Sequence, residues 1–258
     1  MQKIGIIGIG ILGETLKRYF ETKHELYFYD IKGLGSMEEV NKADYIYICV
    51  PTPHNLETGC DTSIVEEAIS KIEGSKVIII KSTVIPGTTD RLQEKYPQHK
   101  ILFNPEFLTT KNAMQDFLNP DSQIIGYTKE SKDVCNDVLN QLPIADYAII
   151  PAKTAEMIKY ARNSFLAMKV AKNNELYDLC KKAGFSENEW EMVVNGLGND
   201  RRIGKSHLEI FHNGGRGYSG KCLPKDTKAL LKFAEKLGVD MPISKAMDEY
   251  NDSLGKKE

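Results

Sequence analysis

Near the end of the chain, Gly217-Tyr218-Ser219-Gly220-Lys221-Cys222-Leu223-Pro224-Lys225-Asp226 sets a cysteine in a glycine-rich bend just before a helix. Pro224 suits a first helical turn, where its missing N–H is no loss, and Leu223, Leu230, Leu231, Phe233 and Ala234 continue at helical spacing. Cys222 then stands at the positive end of a helix dipole, which favours thiolate over thiol and makes it a candidate nucleophile. Asp226, four residues on, faces the same side of that helix. The alternative for this segment alone is a buried structural cysteine beside a solvated carboxylate.

A second chemical pattern opens the chain. Lys3-Ile4-Gly5-Ile6-Ile7 is an apolar run of strand type, followed by Gly8-Ile9-Gly10-Ile11-Leu12-Gly13 and a helical stretch from Glu14 to Phe20. Gly8 allows a tight turn, Gly10 lets backbone approach a pyrophosphate, and Gly13 permits close helix–strand packing, while N–H groups at the helix start hold the anion. A further strand, Glu25-Leu26-Tyr27-Phe28-Tyr29, ends in Asp30, where an acid bonds the ribose hydroxyls of a dinucleotide and repels a 2′-phosphate. NAD is therefore expected over NADP. The alternative is an ordinary tight turn between strand and helix.

These groups need a scaffold, and the pattern supplies one. Strand-type runs fall at about 3–7, 25–29, 45–50, 77–81, 100–103, 123–126 and 147–150, alternating with helical segments. This predicts an α/β fold: a Rossmann-type doubly wound parallel sheet over residues 1–150, with polar loops at strand ends forming the ligand crevice. From Ala152 to Ala183 there is neither Gly nor Pro, and apolar residues recur at three and four. One long helix is expected there, about 45 Å at 1.5 Å per residue, with part of it meeting a second subunit. Residues 151–258 are read as a small all-helical domain carrying the catalytic cysteine, and the long helix, 152–183, as a homodimer interface. Lys159 and Asn163, four apart on it, project from one face, where a lysine and an amide could contact a reacting hydroxyl or oxyanion; taken alone, the pair reads better as an exposed lysine and a solvated asparagine on a long helix.

Composition excludes several classes. The 258 residues are 41% hydrophobic and 27% charged, and 34 basic against 36 acidic side chains give no field suited to nucleic acid or an anionic membrane. The chain shows no signal-peptide pattern and no apolar run of bilayer length, so a cytoplasmic protein is expected. Cys49, Cys60, Cys135, Cys180 and Cys222 form no CxxC pair, and no histidine cluster has metal-ligand spacing. Neither a metal site nor a disulfide framework is expected.

Taken together, Gly8 to Gly13, Val50-Pro51-Thr52-Pro53, Lys81-Ser82-Thr83, Asn104-Pro105-Glu106-Phe107-Leu108, Lys159 through Asn163, Arg202-Ile203-Gly204 and Gly217 through Asp226 resemble the UDP-glucose/GDP-mannose dehydrogenase family, its UDP-glucose branch most. The resemblance implies oxidation of a sugar C6 alcohol to a carboxylate, UDP-glucose to UDP-glucuronate, with two NAD molecules used in turn. It implies a water held by Thr83 and Asp226 as proton acceptor, Lys159 and Asn163 on the reacting oxygen, and a thiohemiacetal and then a thioester on Cys222. It assigns Gly8, Gly10, Ile11, Leu12, Gly13, Asp30, Pro51, Thr52, Ser82, Thr83 and Lys225 to the cofactor. Glu106, Phe107, Leu108, Lys159, Asn163, Arg202, Tyr218 and Gly220 are assigned to the UDP-sugar.

Three departures accompany the resemblance. Thr110 stands where the family usually has the glutamate that assists thioester hydrolysis, and the stretch from Asp30 to Ala43 is shorter than usual. The chain also stops where the family continues into a nucleotide-binding domain, so a fragment or a compact enzyme is expected. Two other readings stay open: a β-hydroxyacid-type dehydrogenase, which needs no cysteine, and a catalytically silent NAD-binding protein.

Overall fold

Alternation along the strands decides the architecture. Ile4 and Ile6, Tyr47, Ile79 and Leu102 pack on one face of a sheet, while Ile7, Ile46 and Ile48, Ile78 and Ile80, Ile101 and Phe103 pack on the other. Both faces are apolar, so both must be covered by helices. In the computed structural model, which describes residues 1–212 and 215–254, these strands form one sheet of eight. From one edge to the other it runs Tyr147–Pro151, Gln123–Tyr127, Lys100–Phe103, Val77–Ile80, Tyr45–Ile48, Lys3–Ile7, Glu25–Asp30 and Leu34–Gly35. The expected α/β Rossmann-type architecture is present, with two changes of direction. Gln123–Tyr127 pairs antiparallel with Lys100–Phe103, Leu102 opposite Tyr127 and Phe103 opposite Gly126. Period-two burial specifies which face a side chain meets and says nothing about strand direction, so the parallel expectation fails there.

A two-residue edge strand, Leu34–Gly35, also pairs antiparallel with Tyr29 and Asp30. It occupies the short stretch after Asp30. Gly35 has φ +65°, and a Cβ on it would lie 1.8 Å from the Phe28 carbonyl oxygen, so this hairpin needs glycine there.

The chain divides into two compact units, residues 1–53 with 60–159 and residues 54–59 with 160–258. The division falls within the 31-residue helix Ala152–Lys182, close to the predicted span. In the second unit, the helix stops at Gly184, whose φ is +88°. The helix Glu187–Asn199 then begins with a capping box, Ser186 accepting from the Glu189 N–H and the Glu189 carboxylate accepting from the Ser186 N–H. Tyr177, Trp190 and Ile210 form one apolar cluster of this unit and Ala167, Val170, Ala171, Tyr218 and Met247 another. The unit is not wholly helical: Phe211–His212 and Gly215–Arg216 pair as a short antiparallel ribbon.

In the first unit one carboxylate caps a neighbouring helix. Glu156, fully buried, accepts hydrogen bonds from the Gly87 N–H at 2.5 Å, the Thr89 N–H at 2.8 Å and the Thr89 hydroxyl at 2.6 Å, at the start of helix Thr88–Lys95. Burial pushes its pKa up to about 7, against three donors that favour the anion. Glu156→Gln would turn an amide donor toward one of those N–H groups. We expect a loss of about 1–3 kcal/mol in denaturant unfolding, with little change in the m-value.

Candidate active site

The glycine-rich turn has three distinct jobs. Gly8 lies at φ +94°, and a Cβ there would stand 2.8 Å from the Cys49 carbonyl carbon. A Cβ on Gly13 would stand 1.9 Å from the Gly8 carbonyl oxygen, whereas one on Gly10 would meet nothing within 4 Å. Gly8 and Gly13 are thus required by protein packing, and Gly10 borders open space. Helix Ile11–Phe20 starts at Gly10 with no side-chain cap, so the N–H groups of Ile11 and Leu12 head an uncapped turn. Asp30 is buried; its Oδ1 accepts from the Lys32 N–H at 2.9 Å and its Oδ2 from the Ile9 N–H at 2.7 Å. Those bonds hold its carboxyl below the usual range, so it is an anion with lone pairs left for hydroxyl donors. An uncapped helix start, a cradle with no Cβ and an ionised acid fit an NAD pyrophosphate and ribose.

The loops at the strand ends are stapled to one another. The Thr52 hydroxyl donates to the Thr83 carbonyl at 2.8 Å, and the Ser82 hydroxyl donates to the Val50 carbonyl at 2.6 Å, while Pro51 is exposed. Thr52 and Ser82 therefore spend their protons within the protein and can only accept from a ligand.

Lys159 is buried and donates to the Glu106 carbonyl, with its Nζ 3.3 Å from Glu106 Oε1 and 5.2 Å from the centre of the Phe107 ring. Glu106 Oε2 also accepts from the Leu108 N–H at 2.7 Å. Lysine, glutamate and phenylalanine thus form one packed group on the first unit. Thr110 is exposed, and its neighbour Thr109 is bound through both N–H and hydroxyl to Asp116. Sequence reasoning gave Lys81 no role, although a lysine directly after the run Val77–Ile80 is a signal. Its ammonium is buried and donates to Asn104 Oδ1 at 2.7 Å, and burial lowers its pKa to about 8.

Cys222 is exposed and caps the N-terminus of helix Leu223–Lys236, with Pro224 in the first turn. The Asp226 N–H closes that turn on the Cys222 carbonyl at 2.8 Å. Asp226 is only 1% exposed; Asn163 Nδ2 donates to its Oδ2 at 2.5 Å, and Lys225 Nζ lies 2.6 Å from its Oδ1. Asn163, Asp226, Lys225 and Cys222 are therefore one assembly within the second unit. Gly217 and Gly220 take φ of +79° and +81°, and a Cβ on Gly217 would lie 2.4 Å from Asn251 Oδ1.

Tyr218 is packed within the second unit. Its ring is buried, its hydroxyl donates to Asp248 Oδ1 at 2.8 Å, and burial with that carboxylate raises its pKa far above the ordinary phenol value. Asn251 grips its backbone, accepting from the Tyr218 N–H at 2.7 Å and donating to its carbonyl at 3.1 Å. The side chain anchors the cysteine loop from within. Arg202 is exposed and pairs with Asp200, Nη2 to Oδ2 at 2.5 Å.

Comparison with known proteins identifies the family. The family described as "UDP-glucose/GDP-mannose dehydrogenase family, NAD binding domain" matches residues 32–142, and its "central domain" matches residues 153–253. The chain belongs to the UDP-glucose/GDP-mannose dehydrogenase family. A UDP-glucose 6-dehydrogenase of Rickettsia bellii is 35% identical over 94% of this chain and 58% of its own length. The chain spans about half the length of several curated relatives it matches. A UDP-glucose dehydrogenase of Pyrobaculum islandicum superposes with a TM-score of 0.85 at 27% identity, over 98% of this chain and 68% of that one. A 3-hydroxyisobutyrate dehydrogenase of Mycobacterium tuberculosis has a TM-score of 0.76 at 16% identity, over 99% of this chain and 94% of that one, which shows the fold alone.

In a member of this family carrying its NAD binding domain, the open space at Gly10 and the crowding at Gly13 should respond differently to an added Cβ. Among the described residues no group of His, Cys, Asp and Glu could hold a metal ion, and no helix is long and apolar enough to cross a membrane. Gly10→Ala should fold with stability within about 0.5 kcal/mol of the wild type and lose NAD affinity. Gly13→Ala should be destabilised outright. Thermal unfolding with and without NAD distinguishes them: only Gly10→Ala keeps its melting temperature and loses the stabilisation by cofactor.

Proposed function

We propose that this chain is the part of an NAD-dependent nucleotide-sugar dehydrogenase that carries out the redox chemistry, converting UDP-glucose to UDP-glucuronate. The observation that supports this most is the exposed Cys222 at a helix start, one turn from an Asp226 clamped by Asn163. A simple alcohol dehydrogenase has no use for such a thiol.

The chemistry runs in three stages. The C6–H bond breaks with its electron pair, and the hydroxyl proton passes through water to Asp226, giving an aldehyde. NAD, when bound, takes the hydride in each of the two oxidations. Cys222 thiolate adds to the aldehyde carbon as a thiohemiacetal; loss of a second hydride leaves a thioester, and water releases the carboxylate and the thiol. Lys159 and Asn163 are assigned to the oxygen that develops charge, a role worth about 2.7–4 kcal/mol per donor in comparable sites. To serve it, the Lys159 ammonium must share its protons between Glu106 and the sugar oxygen. Thr110 offers no base near neutral pH, so Glu106 is the remaining carboxylate of that loop for the hydrolytic step.

We also propose that the long helix pairs with a second copy of the chain. Phe165 and Leu179 on it, 69% and 64% exposed, are the large apolar side chains that such a pairing would cover. The reading further places the protein in the cytoplasm, where nucleotide sugars and NAD are both available. The shared fold of the hydroxyisobutyrate enzyme gives no reason to prefer single-step oxidation.

The test is incubation with UDP-glucose and NAD, counting NADH per sugar and weighing the protein. Two NADH per sugar are expected, with the acyl-enzyme on Cys222 accumulating because Thr110 lacks a carboxylate. Thr110→Glu should then raise turnover and clear the adduct. Cofactor binding with no NADH from any nucleotide sugar would leave a silent NAD-binding protein instead.

A further inference from the structure

Lys81 is a buried charge with a neutral partner. Its ammonium sits at the end of strand Val77–Ile80, 3% exposed, and its acceptor is the side-chain amide of Asn104 at 2.7 Å. Burying an ammonium is costly unless it is paired and hydrogen-bonded, and an apolar side chain of the same size would carry no such cost. Asn104 is itself fixed on every side. Its N–H donates to the Ile80 carbonyl at 2.9 Å and its Nδ2 to the Ile124 carbonyl at 2.8 Å, leaving Oδ1 for the lysine. Two residues on, the Glu106 carbonyl receives the Lys159 ammonium. Lys81 thus holds the root of the turn whose tip holds Lys159.

We propose that Lys81 is a positioning residue: acting through Asn104, its ammonium fixes the turn Asn104–Glu106 and so sets where the Lys159 ammonium stands. Its bearing on turnover rests on the dehydrogenase reading above; its bearing on geometry does not. The charges that act on Lys81 are Glu106, which favours its protonated form, and Lys159, which disfavours it, while Cys49 beside it is a neutral thiol, burial pushing its pKa up to about 12. Two ammonium groups thus serve one short turn, one at its root and one at its tip.

Lysine labelled with 15N at Nζ, together with amide hydrogen exchange, tests this in the full chain. In Lys81→Met the amides of residues 106–109 and the Lys159 ammonium protons should exchange about ten- to a hundred-fold faster, the equivalent of losing one hydrogen bond to a charged group. The amides of strand Lys3–Ile7 should keep their wild-type rates. Lys81→Arg, which retains charge and donors, should recover part of the protection. An unchanged Lys159 signal in folded Lys81→Met overturns the proposal, and so does a rise shared equally by the Lys3–Ile7 strand.

Should Lys81→Met not fold, Lys81→Gln, a polar side chain without the charge, takes its place and should give the same rise in exchange; an unchanged Lys159 signal there overturns the proposal. With activity as a further readout, Lys81→Met should lower kcat and leave the KM for NAD unchanged. If the wild type forms no NADH, the dehydrogenase reading falls while the ammonium and amide signals still decide the role of Lys81.

Discussion

A single charge-assisted hydrogen bond, from Asn163 to Asp226 at 2.5 Å, organises the cysteine end of the chain. It joins the long helix to the helix that Cys222 caps, and it does so at a carboxylate that is nearly sealed from solvent. A buried carboxylate without donors would be strongly destabilising, so the position of Asp226 depends on Asn163 on one side and Lys225 on the other. Cys222 inherits that order, because the Asp226 N–H closes the first turn on the Cys222 carbonyl. The loop before it is held just as firmly, by Asn251 on the Tyr218 backbone and Asp248 on the Tyr218 hydroxyl. A nucleophile on a loop gains precision only when such supports lock it.

The first unit uses the same economy with different groups. Gly8 and Gly13 are there because backbone passes too close for any side chain, and Asp30 bonds back to the Ile9 N–H within the turn it serves. The glycine turn and the acid proposed to meet the ribose are thereby tied together. Around Lys159 the polar atoms form a chain from the Ile124 carbonyl through Asn104 and Lys81, and from the Glu106 carbonyl to Lys159. Buried polar groups of this kind are worth most when each is satisfied, which explains why so many lie at the ends of strands that are otherwise isoleucine and valine.

Much of this was legible in the residues. The seven long strands lie where alternation and apolar runs put them, because a sheet covered on both faces imposes a strong pattern. The glycine turn could be read because Gly8 and Gly13 answer to two different steric demands, a positive φ beside Cys49 and a close approach to the Gly8 carbonyl. The antiparallel entry of Gln123–Tyr127 could not, since direction leaves no mark on burial, and neither could the two-residue strand Leu34–Gly35, too short for any period. The hold on Tyr218 could not be read, because spacing in a loop does not reveal which way a ring turns; Asp248 and Asn251, thirty and more residues later, supply it. Lys81 carried the clearest missed signal, a charge at the end of an unbroken aliphatic run. Glu156 was hidden inside a helix pattern, and only the facing turn at Gly87 and Thr89 shows its use.

The claim on which the functional account stands is covalent catalysis by Cys222. It is tested most directly by counting NADH per molecule of UDP-glucose consumed by the Cys222→Ala protein. Without the thiol the aldehyde cannot be captured, so the account predicts at most one NADH per sugar and no sugar attached to the protein. Two NADH per sugar from Cys222→Ala would contradict it.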